Sequence, residues 1–128
     1  MNLLPLAAIL SSAKLGIEGE TLFVDMMPAD AGNAVLLRNP LTGTKINHEL
    51  PGYFKTEFQV IVRATLGGYG EGLALMEQVV EAFTMEETAV ANMHFNYCRP
   101  RTTPVVFPLS EGNILEFNVM FDCCFVRS

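Results

Sequence analysis

Basic residues are scarce in this chain. Eight Lys and Arg face 14 Asp and Glu, for a net charge of −6 over 128 residues. Sequence-independent binding along a nucleic-acid backbone needs a basic surface, so the composition argues against that class. It leaves open a surface that DNA passes without sticking. Cysteine is also rare: Cys98, Cys123 and Cys124 are odd in number and have no framework spacing. They read as reduced, cytosolic thiols. Cys123 and Cys124 point to opposite faces of one strand, which keeps them from gripping one metal together. The two histidines, His48 and His94, are the only candidates for acid–base chemistry near neutral pH, and neither stands among metal ligands. His94 and Cys98 share a strand face but lie about 13 Å apart at strand rise, too far for a direct pair. Neither a catalytic set, a metal ligand set nor a cofactor motif is legible. Long apolar runs are missing too. Leu3 to Leu10 has no basic segment before it and is too short to span a bilayer as a helix. It is expected to pack as a short helix, Leu3 to Lys14, with Pro5 in its first turn and Gly16 at its end.

What is present is apolar. Half of the residues are hydrophobic, with nine Phe and seven Met. That supply is enough for a core, and it also fits apolar surface shared between subunits. Leu115 to Phe125 is the clearest element. Leu115, Phe117, Val119, Phe121, Cys123 and Phe125 fall on one face, and Glu116, Asn118, Met120, Asp122 and Cys124 on the other. Phe54 to Thr65 repeats the pattern, with Phe54, Thr56, Phe58, Val60, Val62 and Ala64 opposed to Lys55, Glu57, Gln59, Ile61, Arg63 and Thr65. Between them a helix from about Glu71 to Phe83 presents Leu73, Met76, Val80 and Phe83 on one side.

The remaining segments are shorter. Thr21 to Met27 reads as a strand stopped by Pro28, with a turn over Ala29 to Asn33. Ala34 to Arg38 is a strand. Asn39 to Gly43 is a turn signal, and Thr44 to His48 can return as a weaker strand, making a hairpin that projects or pairs with a neighbour. Glu86-Glu87 reads as the solvated end of the helix. Asn92 to Cys98 is a strand with Met93, Phe95 and Tyr97 on one face. Arg99 to Pro104 is an exposed connection, Val105 to Phe107 is extended, and Pro108 to Gly112 turns into the last strand. The fold class is therefore α+β: a mostly antiparallel twisted sheet, a short N-terminal helix and one longer helix packed on one face, plus a projecting hairpin. Residues 1–128 read as one domain without internal repeats.

Gly67 to Gly72 lies between a strand and a helix, where a phosphate could meet free N–H groups. It lacks the Lys-Ser/Thr of a P-loop, its spacing is not G-x-G-x-x-G, and Glu71 would repel a phosphate. A ligand-binding domain built on this loop, using Glu71 or His94, stays as an alternative to a structural role; a flexible turn is the simpler reading. Binding on a rigid scaffold is commonly carried by loops, which puts contacts at Asn39 to Gly52, Gly67 to Gly72 and Arg99 to Pro104. Arg38, Lys45, His48, Tyr69, Glu71, Arg99 and Arg101 are the candidate interface residues. Each could also be plain solvated surface.

The order of these pieces resembles the tail-terminator and minor capsid (neck) family of long-tailed bacteriophages. The resemblance rests on Leu36-Leu37-Arg38, on Pro51 to Ala64, on the helix Leu73 to Phe83 and on Pro108 to Phe121, and so covers most of the chain. It implies a virion protein, assembled in the host cytoplasm, that forms a ring, usually of six copies, at the head-proximal end of the tail. Such a ring stops tail-tube polymerisation and meets the head–tail connector. Its partners would be copies of itself, the tail-tube protein and the connector, with DNA passing through the lumen without specific binding, no membrane and no cofactor. A head-closure or other neck protein of similar fold is the near alternative.

Overall fold

The computed structural model describes residues 1–29, 31–65, 67–108 and 114–127. The chain runs α1 (Leu4–Ser12), β1 (Leu22–Val24), β2 (Ala34–Arg38), β3 (Tyr53–Ala64), α2 (Tyr69–Phe83), β4 (Met85–Val90), β5 (Met93–Pro100), β6 (Val105–Pro108) and β7 (Leu115–Arg127). The strands form one sheet in the order β1-β2-β3-β7-β5-β4, and β6 pairs with β7 beside that path. Only β1 and β2 run parallel; the other pairings are antiparallel. This is the α+β architecture read from the residue pattern. The turn expected over Pro108 to Gly112 falls, beyond Pro108, outside the described residues, as does Asp30 of the earlier turn.

The centre is the β3–β7 ladder, in register from Tyr53↔Val126 to Ala64↔Leu115. Both strands alternate, so their apolar faces coincide. Phe58 stacks on Phe121 at 5.1 Å, and Phe83 of α2 meets both rings edge-on at 5.7 Å. Met76, Val79 and Phe83 are fully buried on α2, and Leu6, Ala7 and Leu10 are buried on α1. They belong to one apolar cluster with the inward side chains of β3 and β7, which places both helices over the same face. Among the described residues the other face of the sheet carries no helix.

A glycine makes the close helix–sheet contact possible. A Cβ on Gly72 would stand 2.5 Å from Phe117 and 2.9 Å from the Ala64 side chain. The glycines before α2 and in its first turns thus serve a turn and a tight approach. Gly67 takes φ +83° and Gly72 packs against the strands. At the end of α1, Lys14 adopts the left-handed conformation (φ +61°), the position expected for Gly16.

Five local expectations are corrected. Thr44 to His48 is not a strand: the antiparallel partner of β2 is β3, reached through the long connection 39–52. The projecting hairpin is instead β4–β5, closed by Ala91-Asn92 with Ala91 at φ +53°. Glu86 and Glu87 lie within β4, because Thr84 ends the helix in an extended conformation and the chain turns straight into a strand. The first strand is only Leu22–Val24, stopped where Asp25 takes φ +62°. Finally, the β5–β7 register slips between Phe95 and Tyr97. This bulge inserts one residue and swaps the faces beyond it, so Cys98 enters the core at 1% exposure while Tyr97 turns outward. His94 and Cys98 therefore do not share a face.

Candidate assembly interface

The helix-free face is built from the residues that alternate with the core. On β3 these are Lys55, Glu57, Gln59 and Arg63, and on β7 Asp122, Met120, Asn118 and Glu116. The register sets Glu57 opposite Asp122, two like charges that would repel across the ladder. Arg101, arriving from the end of β5, resolves this. Its Nη2 donates to Asp122 Oδ1 at 2.6 Å and also to Glu57, and its Nε donates to Asp122 Oδ2 at 3.2 Å. The hydrogen bonds from Arg101 hold the Asp122 carboxyl below its usual range. Further along, Gln59 donates to Asn118 at 2.9 Å. Arg63 pairs with Glu116 at 2.9 Å and donates to the Ala29 carbonyl at 3.2 Å. Arg99 lies over the Tyr97 ring, 4.3 Å from its centre.

The connection 39–52 forms an arm beside this face. A cleft of about 460 Å³ opens between them, lined by Thr42, Lys45, Lys55, Glu57, Arg99 and Asp122. A second, of about 470 Å³, lies between Lys45 to Glu49 and Tyr53 with Lys55. The arm is apolar at its tip, with Leu41 91% and Ile46 62% exposed.

The candidate residues separate into two groups. Lys45 and His48 lie on the arm, Arg99 and Arg101 beside the first cleft, and Arg38 at the end of β2, opposite Gln59. Tyr69 and Glu71 instead open α2 on the helix-bearing side. The Tyr69 ring rests on Phe117 at 5.7 Å and stays half exposed, and Glu71 is exposed in the first turn. His94 is tied to Glu87 at 2.8 Å, away from Glu71 on a separate element. The partners that sequence reasoning missed are Glu57, Asp122, Tyr97 and Lys55. The placement of Lys55, Glu57 and Asp122 on polar strand faces was readable; Tyr97 reads as part of the apolar face and is turned outward by the bulge in β5, and the meeting of all four depends on that bulge and on the β3–β7 register. Among the described residues no group of three or more His, Cys, Asp and Glu is placed to hold a metal ion.

A family model described as bacteriophage tail terminator protein matches residues 9–126. The chain belongs to the bacteriophage tail terminator family. This tail terminator is a structural protein of the virion, in its tail or neck, and not an enzyme. Its fold has a solved counterpart in a structure described as the virion of a native gene transfer agent (GTA) particle. The two chains superpose with a TM-score of 0.63 at 13% identity, over 94% of this chain and 84% of the other. A search of curated proteins finds no match.

Proposed function

We propose that the tail terminator closes as a ring, of six copies, on the head-proximal end of the tail tube, where it stops tube growth and offers its other surface to the head–tail connector. The observation that carries this reading is family membership across residues 9–126. The architecture supports it. A rigid two-layer body with one helix-free face and a long exposed arm has unlike surfaces, which is what a head-to-tail interface needs to close through rotation. An acidic subunit leaves DNA free to move through the lumen. The glycine-loop alternative is weakened, because Gly72 is accounted for by its close packing on Phe117 and Ala64.

The test is a capping assay with purified tail-tube protein. Tubes grown with the terminator are expected to stop at short lengths and carry it at one end, seen by electron microscopy. Tubes that lengthen equally with and without it would overturn the reading, and retention on the connector alone would mark a head-closure protein instead.

A further inference from the structure

Two strand-like features of this chain lack partners, and they stand on opposite flanks of one sheet. The first is the arm. Thr44 to His48 has a strand-forming sequence, yet it makes no backbone hydrogen bond among the described residues. Its neighbours are internally satisfied: Gly43 N–H donates to the Pro40 carbonyl at 3.0 Å, and Glu49 N–H to Asn47 Oδ1 at 3.0 Å. Thr44 hydrogen-bonds to the body through its side chain, with Oγ1 3.2 Å from Thr56 Oγ1. Lys45, Ile46, Asn47 and His48 are exposed.

The second is β4. It ends the strand order, pairs with β5 alone and leaves its outer edge open, with a local break where Glu87 takes φ +45°. From Glu86 to Ala89 it is exposed. Open edges of this kind template the addition of another strand. The arm cannot reach it within one molecule. It lies beside β3, and β7 and β5 intervene, so the separation is three strand spacings, about 14 Å, plus the arm's own offset.

Charge selects the match between them. Lys45 and His48 line the arm, and Lys45 has no carboxylate partner among the described residues. Glu86 and Glu87 lie on β4, Glu87 beside His94 and Glu86 without an ion pair among the described residues, within a stretch, residues 64–98, that carries five Glu and no Lys or Arg. Ile46 is exposed between Lys45 and Asn47, as an anchor placed amid polar positions.

We infer that Thr44 to His48 of one copy adds as a strand to the outer edge of β4 in a second copy of this chain. The inference rests on the ring reading and deepens it. The contact is heterologous, donor flank to acceptor flank, so every copy gives one strand and receives one. The segment that reads as a strand in sequence and is not one in the isolated chain then finds its ladder in the assembly.

Two variants separate the halves of the contact. Ile46→Pro removes an N–H that the isolated chain does not use, and so blocks the donor. Glu86→Lys with Glu87→Lys sets like charge against Lys45 and blocks the acceptor. Native mass spectrometry of the full chain reads assembly; circular dichroism and the urea midpoint confirm folding. The parent is expected to form a closed oligomer. Each variant should need at least about tenfold more protein to assemble, and their mixture should stop at a one-to-one dimer, since only one productive interface can form between them. Lys45→Glu repeats the donor test without altering the backbone. Folded variants that assemble like the parent, or a mixture that stays monomeric, overturn the inference and leave the ring standing. A parent that remains monomeric at high concentration and low salt overturns it as well, and the capping assay then judges the terminator reading separately.

Discussion

Cys98 and Cys123 face each other across the β5–β7 ladder inside the core, at 1% and 0% exposure. Both are free thiols. Burial disfavours their thiolates, and the Cys123 thiol is pushed up to about 12, with Cys98 raised as well. An unfolded thiol ionises near about 8.5. The unfolded chain therefore loses these protons first as pH rises. The contribution of both thiols to stability is complete below about 8.5 and declines above it, by about 1 kcal/mol per pH unit for each, until the folded thiols also ionise. The expected outcome is a urea midpoint that is level from neutral pH to about 8 and drops by pH 10. In the same experiment a thiol reagent at pH 8 should label Cys98 and Cys123 only after denaturant is added. Rapid labelling of both in the native chain would contradict this packing. Arg101 shows a second kind of residue-scale dependence: it bridges two carboxylates that the strand register forces together, so its charge serves the chain itself.

At the scale of elements, the α2–sheet contact is where glycine matters most. Alanine at an interior helix position is ordinarily favoured over glycine by about 1 kcal/mol. At Gly72 the added methyl would enter the Phe117 ring at 2.5 Å. Overpacking of this kind costs about 1–3 kcal/mol, so Gly72→Ala is expected to be a net destabilisation seen as a lower urea midpoint. A gain in stability would mean that α2 can lift from the strands. Nothing in the sequence marks this: Gly72 reads as the end of a loop until the helix is seen to begin at Tyr69. The long strands were legible because β3 and β7 alternate for a dozen residues and one buried face requires it. The short ones were not. Met85–Val90 has its three polar residues, Glu86, Glu87 and Thr88, in one run and is exposed from Glu86 to Ala89, so it carries no alternation to detect, and its strand form comes from pairing with β5. Thr44 to His48 fails in the opposite sense. Its composition suits a strand, but β2 is claimed by β3, and a segment without a ladder partner does not become a strand. The bulge at Asn96 is tertiary in origin and decides the neighbours of Tyr97, Arg99 and Cys98, which is why half of the basic cleft was not visible beforehand.

For the molecule as a whole, the deciding quantity is where charge sits rather than how much there is. The net value is −6, yet Arg38, Lys45, Lys55, Arg63, Arg99 and Arg101, six of the eight Lys and Arg, belong to the helix-free face and the arm beside it. Taken alone, that concentration resembles a phosphate-binding stripe. The ion pairs argue otherwise. Arg63 is committed to Glu116, and Arg101 to Asp122 and Glu57, so two of the six cations are compensated and three carboxylates stand among them on this face. Binding that releases counterions needs several uncompensated cations in a row and shows a steep salt dependence. This chain is expected to show neither. Fluorescence anisotropy with labelled duplex DNA should remain flat up to micromolar protein at physiological salt, and lowering the salt should not raise it. A salt-sensitive rise would mean that the face opens toward nucleic acid and that the pairs yield to phosphate. A flat response fits a face on which Arg63 and Arg101 are held by carboxylates of the same chain and the net charge is negative, so that a phosphate backbone meets too few uncompensated cations to stay.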